Sequence, residues 1–244
     1  MKPKIFENKT VLVSGGTGYI GSAICREFYE QGATVWFTYH KNSQKADEMM
    51  AEMPDSNALY LDLRDTASIN KAIEKLYKEG ITIDILVNNA AMSQVMPLPM
   101  LDEEDVDMIL DINIKSVIFL TKAVMKGMIR QKEGAIINIG SIAGHRVLEV
   151  PVTYATTKAA LMGFTTSLAN ELKRFNIRVN MVVPGMMEEG VARNVPEDLK
   201  KDFTDHCLMQ RTGKASEVAQ TVSFLASAQS SYINAQSIFV DGGI

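Results

Sequence analysis

Residues 10–37 read TVLVSGGTGYIGSAICREFYEQGATVWF. A short β-rich run comes first, then a glycine turn, then a helical stretch near 18–31, then a second β-rich run. This order is the unit that builds a parallel sheet and presents a phosphate-binding turn. Within SGGTGYIG (14–21), Gly16, Gly18 and Gly21 give G-x-G-x-x-G, while Gly15, Gly18 and Gly21 give G-x-x-G-x-x-G. A third template, G-x-x-x-G-x-G, fails because Tyr19 stands where its middle glycine belongs. One glycine permits backbone angles that other residues resist. Another lets the chain approach a pyrophosphate, and a third lets the helix pack on the strand. The free N–H groups at the helix start then face the phosphates. Gly15, Thr17, Gly18, Tyr19, Ile20 and Gly21 are therefore candidate dinucleotide contacts; the bland alternative is an ordinary glycine-rich strand-to-helix turn. If Gly15, Gly18 and Gly21 are the working set, Tyr19 occupies a tolerated position, and replacing it with glycine should change dinucleotide affinity little.

Outward from this unit, β-rich runs alternate with helical patterns. The runs are 10–13, 34–38, 58–63, 84–89, 135–140, 177–183 and 237–240; the helical stretches lie near 18–31, 66–79, 103–130, 153–174 and 215–227. The runs are apolar on both faces, as strands covered by helices on each side should be. The pattern predicts an α/β fold with a doubly wound parallel sheet in one domain, 1–244. The longest insertion, 184–214, carries Val195, Leu199 and Phe203 at four-residue spacing, which predicts a short amphipathic helix. Its position suggests a substrate lid at about 186–210; a surface helix without function fits equally.

The 244 residues and 46% apolar content suit one globular α/β unit, and the net charge is −4. A mildly acidic chain without a basic block argues against nucleic acid or an anionic membrane as partner. No run of apolar residues is long enough to span a bilayer, and the opening MKPKIFENKT lacks the apolar core of a secretory signal. Cys25 and Cys207 make no disulfide framework, so a reducing cytoplasm is the expected compartment. The three histidines have no metal-ligand spacing, and no metal is expected.

An acid at the end of the second strand would bind the adenosine ribose and favour NAD(H). Here TVWFTYHKN places Tyr39 at that position with His40 and Lys41 beside it, so NADP(H) is favoured; solvent-exposed and indifferent side chains are the alternative. Tyr154 and Lys158 form Y-x-x-x-K and share a helical face. That spacing alone is weak: a chain with seven tyrosines and this lysine content yields about half a match by chance. The constellation carries the weight. Ser141 follows the run AIINIG, NNAA (88–91) ends another run, and Asn113 lies in the long helical stretch after it. Pro184-Gly185 follows the sixth run, and VDGG (240–243) closes the chain. Taken singly, Ser141 reads as a cap, Asn113 as a polar helix position, and Asn88, Asn89 and Asp62 as strand-end turn or cap residues.

Together these motifs resemble the short-chain dehydrogenase/reductases, over essentially the whole chain and in family order. The compact single-domain branch fits, and within it the sequence is most similar to the 3-oxoacyl-[acyl-carrier-protein] reductases. The glycine loop looks instead like that of the longer branch, which includes nucleotide-sugar epimerases with an additional C-terminal region; it is read as a local variant. The resemblance implies a seven-stranded Rossmann-like sheet and a Ser141–Tyr154–Lys158 catalytic site. It implies that Asn113 supports a water-linked proton path and that Lys158 also holds the nicotinamide ribose. It places Asp62 and Leu63 at the adenine, and Asn89, Ala90, Ala91, Pro184 and Gly185 along the cofactor. It gives Glu189 where a threonine often meets the carboxamide. It also implies a homotetramer, or a dimer, built on the helices at 103–130 and 153–174.

The chemistry follows from the side chains. A free tyrosine, with a pKa of about 10, is a poor acid–base catalyst at neutral pH; the Lys158 ammonium one helical turn away should lower it, and the positive nicotinamide of an oxidised cofactor should do the same. Tyr154 would then give a proton to a carbonyl oxygen that Ser141 holds, while NADPH supplies hydride to the carbon. Met92, Val95, Met96, Val147, Leu148, Val150, Met186 and Met187 fall in loops expected beside the nicotinamide, as an adaptable apolar wall or as plain core. His145-Arg146 could meet an anionic group. The expected activity is NADPH-dependent reduction of a 3-oxoacyl thioester, small or carrier-bound. The alternatives are a sugar, polyol or other alcohol dehydrogenase and, in a different class, a non-catalytic dinucleotide-binding regulator.

Overall fold

The computed structural model describes residues 3–94 and 96–244, without the side chain of Asn194. Its strands are β1 (Thr10–Val13), β2 (Thr34–Tyr39), β3 (Asn57–Tyr60), β4 (Ile85–Asn88), β5 (Gly134–Ile139), β6 (Ile177–Pro184) and β7 (Ser237–Val240). They form one sheet of seven strands in the order β3-β2-β1-β4-β5-β6-β7, every pair parallel. This is the doubly wound, Rossmann-like arrangement that the alternating pattern predicts. Chain order reverses between β1 and β4, and a crevice opens there beyond the carboxyl ends of the strands.

The helices are α1 (Tyr19–Glu30), α2 (Ser43–Glu52), α3 (Thr66–Lys78), α4 (Glu103–Leu110), α5 (Ser116–Gln131), α6 (Val152–Leu172), α7 (Glu197–His206) and α8 (Ala215–Ala226). The strands feed two cores. Val11 and Val13 join Ile24 and Phe28 of α1, Met49 of α2 and Val218 and Val222 of α8 on one face. Leu12 and Leu86 join Ile73 of α3, Val124 of α5 and Leu168 of α6 on the other. Alternation along each strand thus supplies both faces, which is why the runs are apolar throughout.

The sequence pattern misses α2. Its SQKADEMMAE buries only Ala46 and Met49, too narrow a stripe to register as a period. The single helix expected over 103–130 is interrupted by a π-helical turn at Asp111–Lys115. The amphipathic segment in the long insertion is α7, with Phe203 buried; Val195 lies just before it, after a 3₁₀ turn at Gly190–Asn194.

The glycine loop divides its labour differently from the sequence templates. Gly15 has φ +63°, and a β-carbon there would stand 2.9 Å from Ala90 Cα. Gly21 is pressed closest: a β-carbon would lie 2.3 Å from the Gly15 carbonyl oxygen and 2.7 Å from Asn89 Nδ2. Gly18 caps α1 with ordinary extended angles, and a β-carbon there would meet only the Gly15 carbonyl oxygen, at 3.3 Å. Gly15 and Gly21 therefore serve the fold, and Gly18 is left free to serve a ligand. Gly21→Ala is expected to cost roughly 1–3 kcal/mol through overpacking, and Gly18→Ala less than about 1 kcal/mol. Equal shifts of the urea midpoint in the two variants would contradict this division.

Candidate active site

A cleft of about 1210 Å³ runs along the carboxyl ends of the strands. It is lined by Gly15, Thr17, Gly18, Tyr19, Ile20 and Gly21, by Tyr39, His40 and Lys41, by Asp62 and Leu63, by Asn89, Ala90 and Ala91, and by Pro184 and Gly185. Ser141, Tyr154 and Lys158 line the same cleft. The candidate cofactor and catalytic positions thus meet in one place, Asn113 excepted: it is buried behind the wall.

The loop is tied down by residues that the motif does not name. The Ser14 hydroxyl oxygen accepts the Asn89 and Ala90 N–H groups, each at 3.0 Å. The Thr38 hydroxyl oxygen accepts the Gly15 N–H at 2.9 Å. Asn89 Nδ2 donates to the Ser14 and Gly15 carbonyls at 3.0 and 3.1 Å. Serine and threonine at strand ends are too common for a single sequence to mark these two.

The catalytic candidates are set by a close approach. Ser141 caps a short 3₁₀ turn, its hydroxyl oxygen accepting the Ala143 N–H at 3.2 Å. Gly144 ends that turn, and a β-carbon there would stand 2.5 Å from the Ala159 nitrogen. The exit of β5 therefore lies against the α6 backbone, which brings Lys158 within reach: Nζ donates to the Ile139 carbonyl at 2.8 Å. The same Nζ is 5.8 Å from the centre of the Tyr154 ring. Behind them, Asn113 Nδ2 donates to the Thr157 hydroxyl at 3.0 Å and to the Met92 carbonyl at 2.9 Å, and Asn113 Oδ1 accepts the Met92 N–H at 2.8 Å. Thr157 in turn donates to the Tyr154 carbonyl at 2.8 Å. Asn113 braces Tyr154 through Thr157 and fixes the strand exit at Met92. Thr157, one residue before Lys158, went unnoticed in the sequence because it matches no motif.

At the end of the cleft beside β2 and β3, Asp62 pairs with Arg64 at 3.1 Å and with His40 at 3.7 Å. The hydrogen bond from Arg64 holds the Asp62 carboxyl below its usual range. Arg64, also absent from the sequence reading, adds a second cation beside Lys41 on this rim, next to His40. His145 is not where an anion would be met. Its ring stacks edge-on against Phe239 at 5.1 Å, because the 3₁₀ turn rotates it towards β7. Arg146 lies 5.3 Å from the same ring while still lining the cleft. The apolar part of the cleft wall includes Met92, Leu148, Val150, Met186, Leu199 and Phe203; Val95 lies outside the described residues. Among the described residues no three His, Cys, Asp or Glu side chains converge on a metal site, and no helix is long and apolar enough to cross a membrane.

A family model described as enoyl-(acyl carrier protein) reductase matches residues 17–244. The 3-oxoacyl-[acyl-carrier-protein] reductase FabG of Thermotoga maritima is 35% identical over 242 residues, covering 98% of both chains. That of Escherichia coli is 36% identical over 241 residues, again 98% of both. The chain belongs to the short-chain dehydrogenase/reductase family. Its fold also matches a gluconate 5-dehydrogenase from Burkholderia cenocepacia, solved in complex with NADP and tartrate, at TM-score 0.91 and 27% identity, over 98% of this chain and 96% of that one. A short-chain alcohol dehydrogenase from Sinorhizobium meliloti matches at TM-score 0.91 and 29% identity, over 99% and 98%. The chain is an oxidoreductase of a family that uses NAD(P).

Within this short-chain dehydrogenase/reductase, burial dominates the electrostatics of the site. Desolvation pushes the Lys158 amine down to about 8. Desolvation also raises the Tyr154 phenol, only partly offset by a hydrogen bond with Ser141. The sequence leads one to expect the opposite shift for Tyr154; burial outweighs a lysine 5.8 Å away whose own charge is penalised. The depressed Lys158 has a signed consequence. Below pH 8 the folded chain carries the full cost of a buried ammonium. Between about 8 and the ordinary value of 10.5, the unfolded chain binds more protons than the folded one, so unfolding free energy rises with pH. In urea titrations, Lys158 should contribute a rise of about 1–2 kcal/mol from pH 8 to 9.5, and Lys158→Met should remove it. Parallel pH dependences of the two proteins would contradict the depressed amine.

Proposed function

We propose that this chain is an NADPH-dependent ketoreductase that converts a 3-oxoacyl thioester to the 3-hydroxy product. The observation that carries the reading is the placement of the Tyr154 phenol and the Ser141 hydroxyl together in a cleft whose outer wall is apolar. The residues fit a dinucleotide. The start of α1 and the unencumbered Gly18 face the cleft where a pyrophosphate would lie, and no acid stands at the end of β2. The Asp62 carboxylate is neutralised by its pairing with Arg64, which leaves Lys41 to receive a 2′-phosphate.

When bound, the nicotinamide supplies hydride to the carbonyl carbon. The chain's own residues manage the oxygen. Ser141 donates a hydrogen bond to it and fixes its position. Tyr154, kept protonated at neutral pH by its burial, transfers the phenolic proton as charge develops. Lys158, with a pKa near 8 and therefore mostly charged at pH 7, stabilises the resulting phenolate and can hold the ribose hydroxyls. Asn113 keeps Tyr154 in register through Thr157. Residues 186–210 form the lid of this single catalytic unit: Val195, Leu199 and Phe203 turn toward the cleft and exclude water from a thioester chain.

FabG relatives at about 35% identity support an acyl thioester. A sugar or polyol dehydrogenase is the second reading, favoured by the gluconate 5-dehydrogenase likeness and by Glu149 and Glu189 on the rim; the six apolar wall residues favour the acyl substrate. A panel of 3-oxoacyl thioesters and polyols separates the two. Consumption of NADPH with the thioesters, faster than of NADH, is expected; turnover of polyols alone contradicts the proposal. Tyr154→Phe should lower turnover by roughly 10²–10⁴ while NADPH binding, followed by fluorescence, stays near normal. Ser141→Ala should lower kcat and spare cofactor affinity. Near-normal turnover in Tyr154→Phe would overturn the mechanism.

A further inference from the structure

The insertion after β6 leaves the fold and returns to it at one place. The Glu188 N–H donates to the Gly213 carbonyl at 3.0 Å, and the Gly213 N–H donates to the Met186 carbonyl at 2.9 Å. Residues 189–212 therefore make a loop excursion whose two legs are joined at a short stem. Beyond the returning leg, Glu217 secures the start of α8: its carboxylate accepts the Lys214 N–H at 2.8 Å and two hydrogen bonds from Arg211.

Tyr19 stands against the outgoing leg and against the start of α8, just past the stem. A β-carbon built on Gly190 would lie 3.3 Å from Tyr19 Cβ and 3.6 Å from its Cδ1, so the outgoing leg rests directly on the Tyr19 side chain. Gly190 has φ +79°, a conformation that lets the chain turn at this contact. Just past the stem, the N–H of Ala215, the first residue of α8, points at the Tyr19 hydroxyl oxygen at 3.5 Å, a long hydrogen bond. The Tyr19 backbone meanwhile is the first residue of α1, inside the dinucleotide loop, and its ring packs on the core shared by α1 and α8. A glycine at position 19, as the third loop template would have, could make none of the side-chain contacts.

We propose that Tyr19 is a positioning residue that ties the dinucleotide loop to the outgoing leg of the lid and to the start of α8 where the lid returns, so that lid order and cofactor retention depend on the same side chain. The sequence alone makes Tyr19 a passive occupant of the loop; its contacts assign it this mechanical role. The inference rests on the dinucleotide reading above for its cofactor arm, and on contacts within the chain for its lid arm.

Each arm has its own readout. In the cofactor-free protein, hydrogen exchange of the amides in 190–206 should be faster in Tyr19→Ala than in the unmodified chain, at a temperature well below both melting points, because a contact that closes the segment is gone. Tyr19→Phe keeps the ring and should restore most of the protection. In stopped-flow displacement, NADPH should leave Tyr19→Ala about tenfold faster, with the association rate little changed, and Tyr19→Phe should lie near the unmodified protein. KM for NADPH should rise in Tyr19→Ala without a matching fall in kcat. Unchanged exchange, or faster exchange with unchanged NADPH release, overturns the proposal, as does a Tyr19→Phe variant as impaired as Tyr19→Ala. An unmodified protein that binds neither NADPH nor NADH overturns the proposed function instead, and the exchange comparison then decides the Tyr19 role by itself.

Discussion

The site depends on one buried amine. Lys158 is carried on α6, is 3% exposed, and its amine donates a hydrogen bond to the carbonyl at the end of β5. An ammonium in that position is costly, and the chain tolerates it only because the strand exit and the helix come close enough for the hydrogen bond to form. Gly144 makes that approach, since any side chain there would strike the α6 backbone. Once it is made, three consequences follow together. Ser141 is held at the strand exit, Tyr154 is held one turn before Lys158, and the two hydroxyls face the same volume.

A second layer of polar groups holds this arrangement from behind. Asn88 donates to Thr121 and to Asn138, and Asn138 donates to Thr165, all at 2.8–2.9 Å and all buried. These bonds link β4 and β5 to α5 and α6 within an otherwise apolar interior. The Met92–Asn113–Thr157–Tyr154 chain continues the same device at the cleft wall. Apolar packing alone would leave helices free to slide on the sheet; directional bonds at these points fix α6 against β5 to the accuracy that proton transfer needs. The π-helical turn at Asp111–Lys115 belongs to this layer, because it carries Asn113 where it meets both Met92 and Thr157.

Much of this was legible in the sequence because repetition carried it. Seven apolar runs at parallel-sheet spacing announced the fold, and Ser141, Tyr154 and Lys158 announced themselves jointly with NNAA and VDGG. What went unread has physical causes. The helix α2 covers a sheet edge with two buried side chains, so its pattern is nearly polar. Thr157, Ser14 and Thr38 act through one or two hydrogen bonds each, of a kind that any serine or threonine could make. Arg64 joins the rim of the cleft only because Asp62 folds it back. His145 was misassigned because sequence adjacency to Ser141 says nothing of the direction in which a 3₁₀ turn points a ring. The direction of the Tyr154 shift was misjudged for a related reason: residue spacing gives proximity to Lys158, whereas burial, which outweighs it, is a property of the folded chain.

The central claim is that this cleft passes hydride to a carbonyl carbon whose oxygen Tyr154 and Ser141 hold. The most direct test is isotope transfer. NADPH fully deuterated at C4 of its nicotinamide is incubated with the enzyme and a 3-oxoacyl thioester, and the product is read by mass spectrometry and NMR. The account predicts one deuterium on the carbon bearing the new hydroxyl group, and loss of that transfer in Tyr154→Phe. A product without deuterium at that carbon, or intact thioester beside unconsumed NADPH, would contradict it.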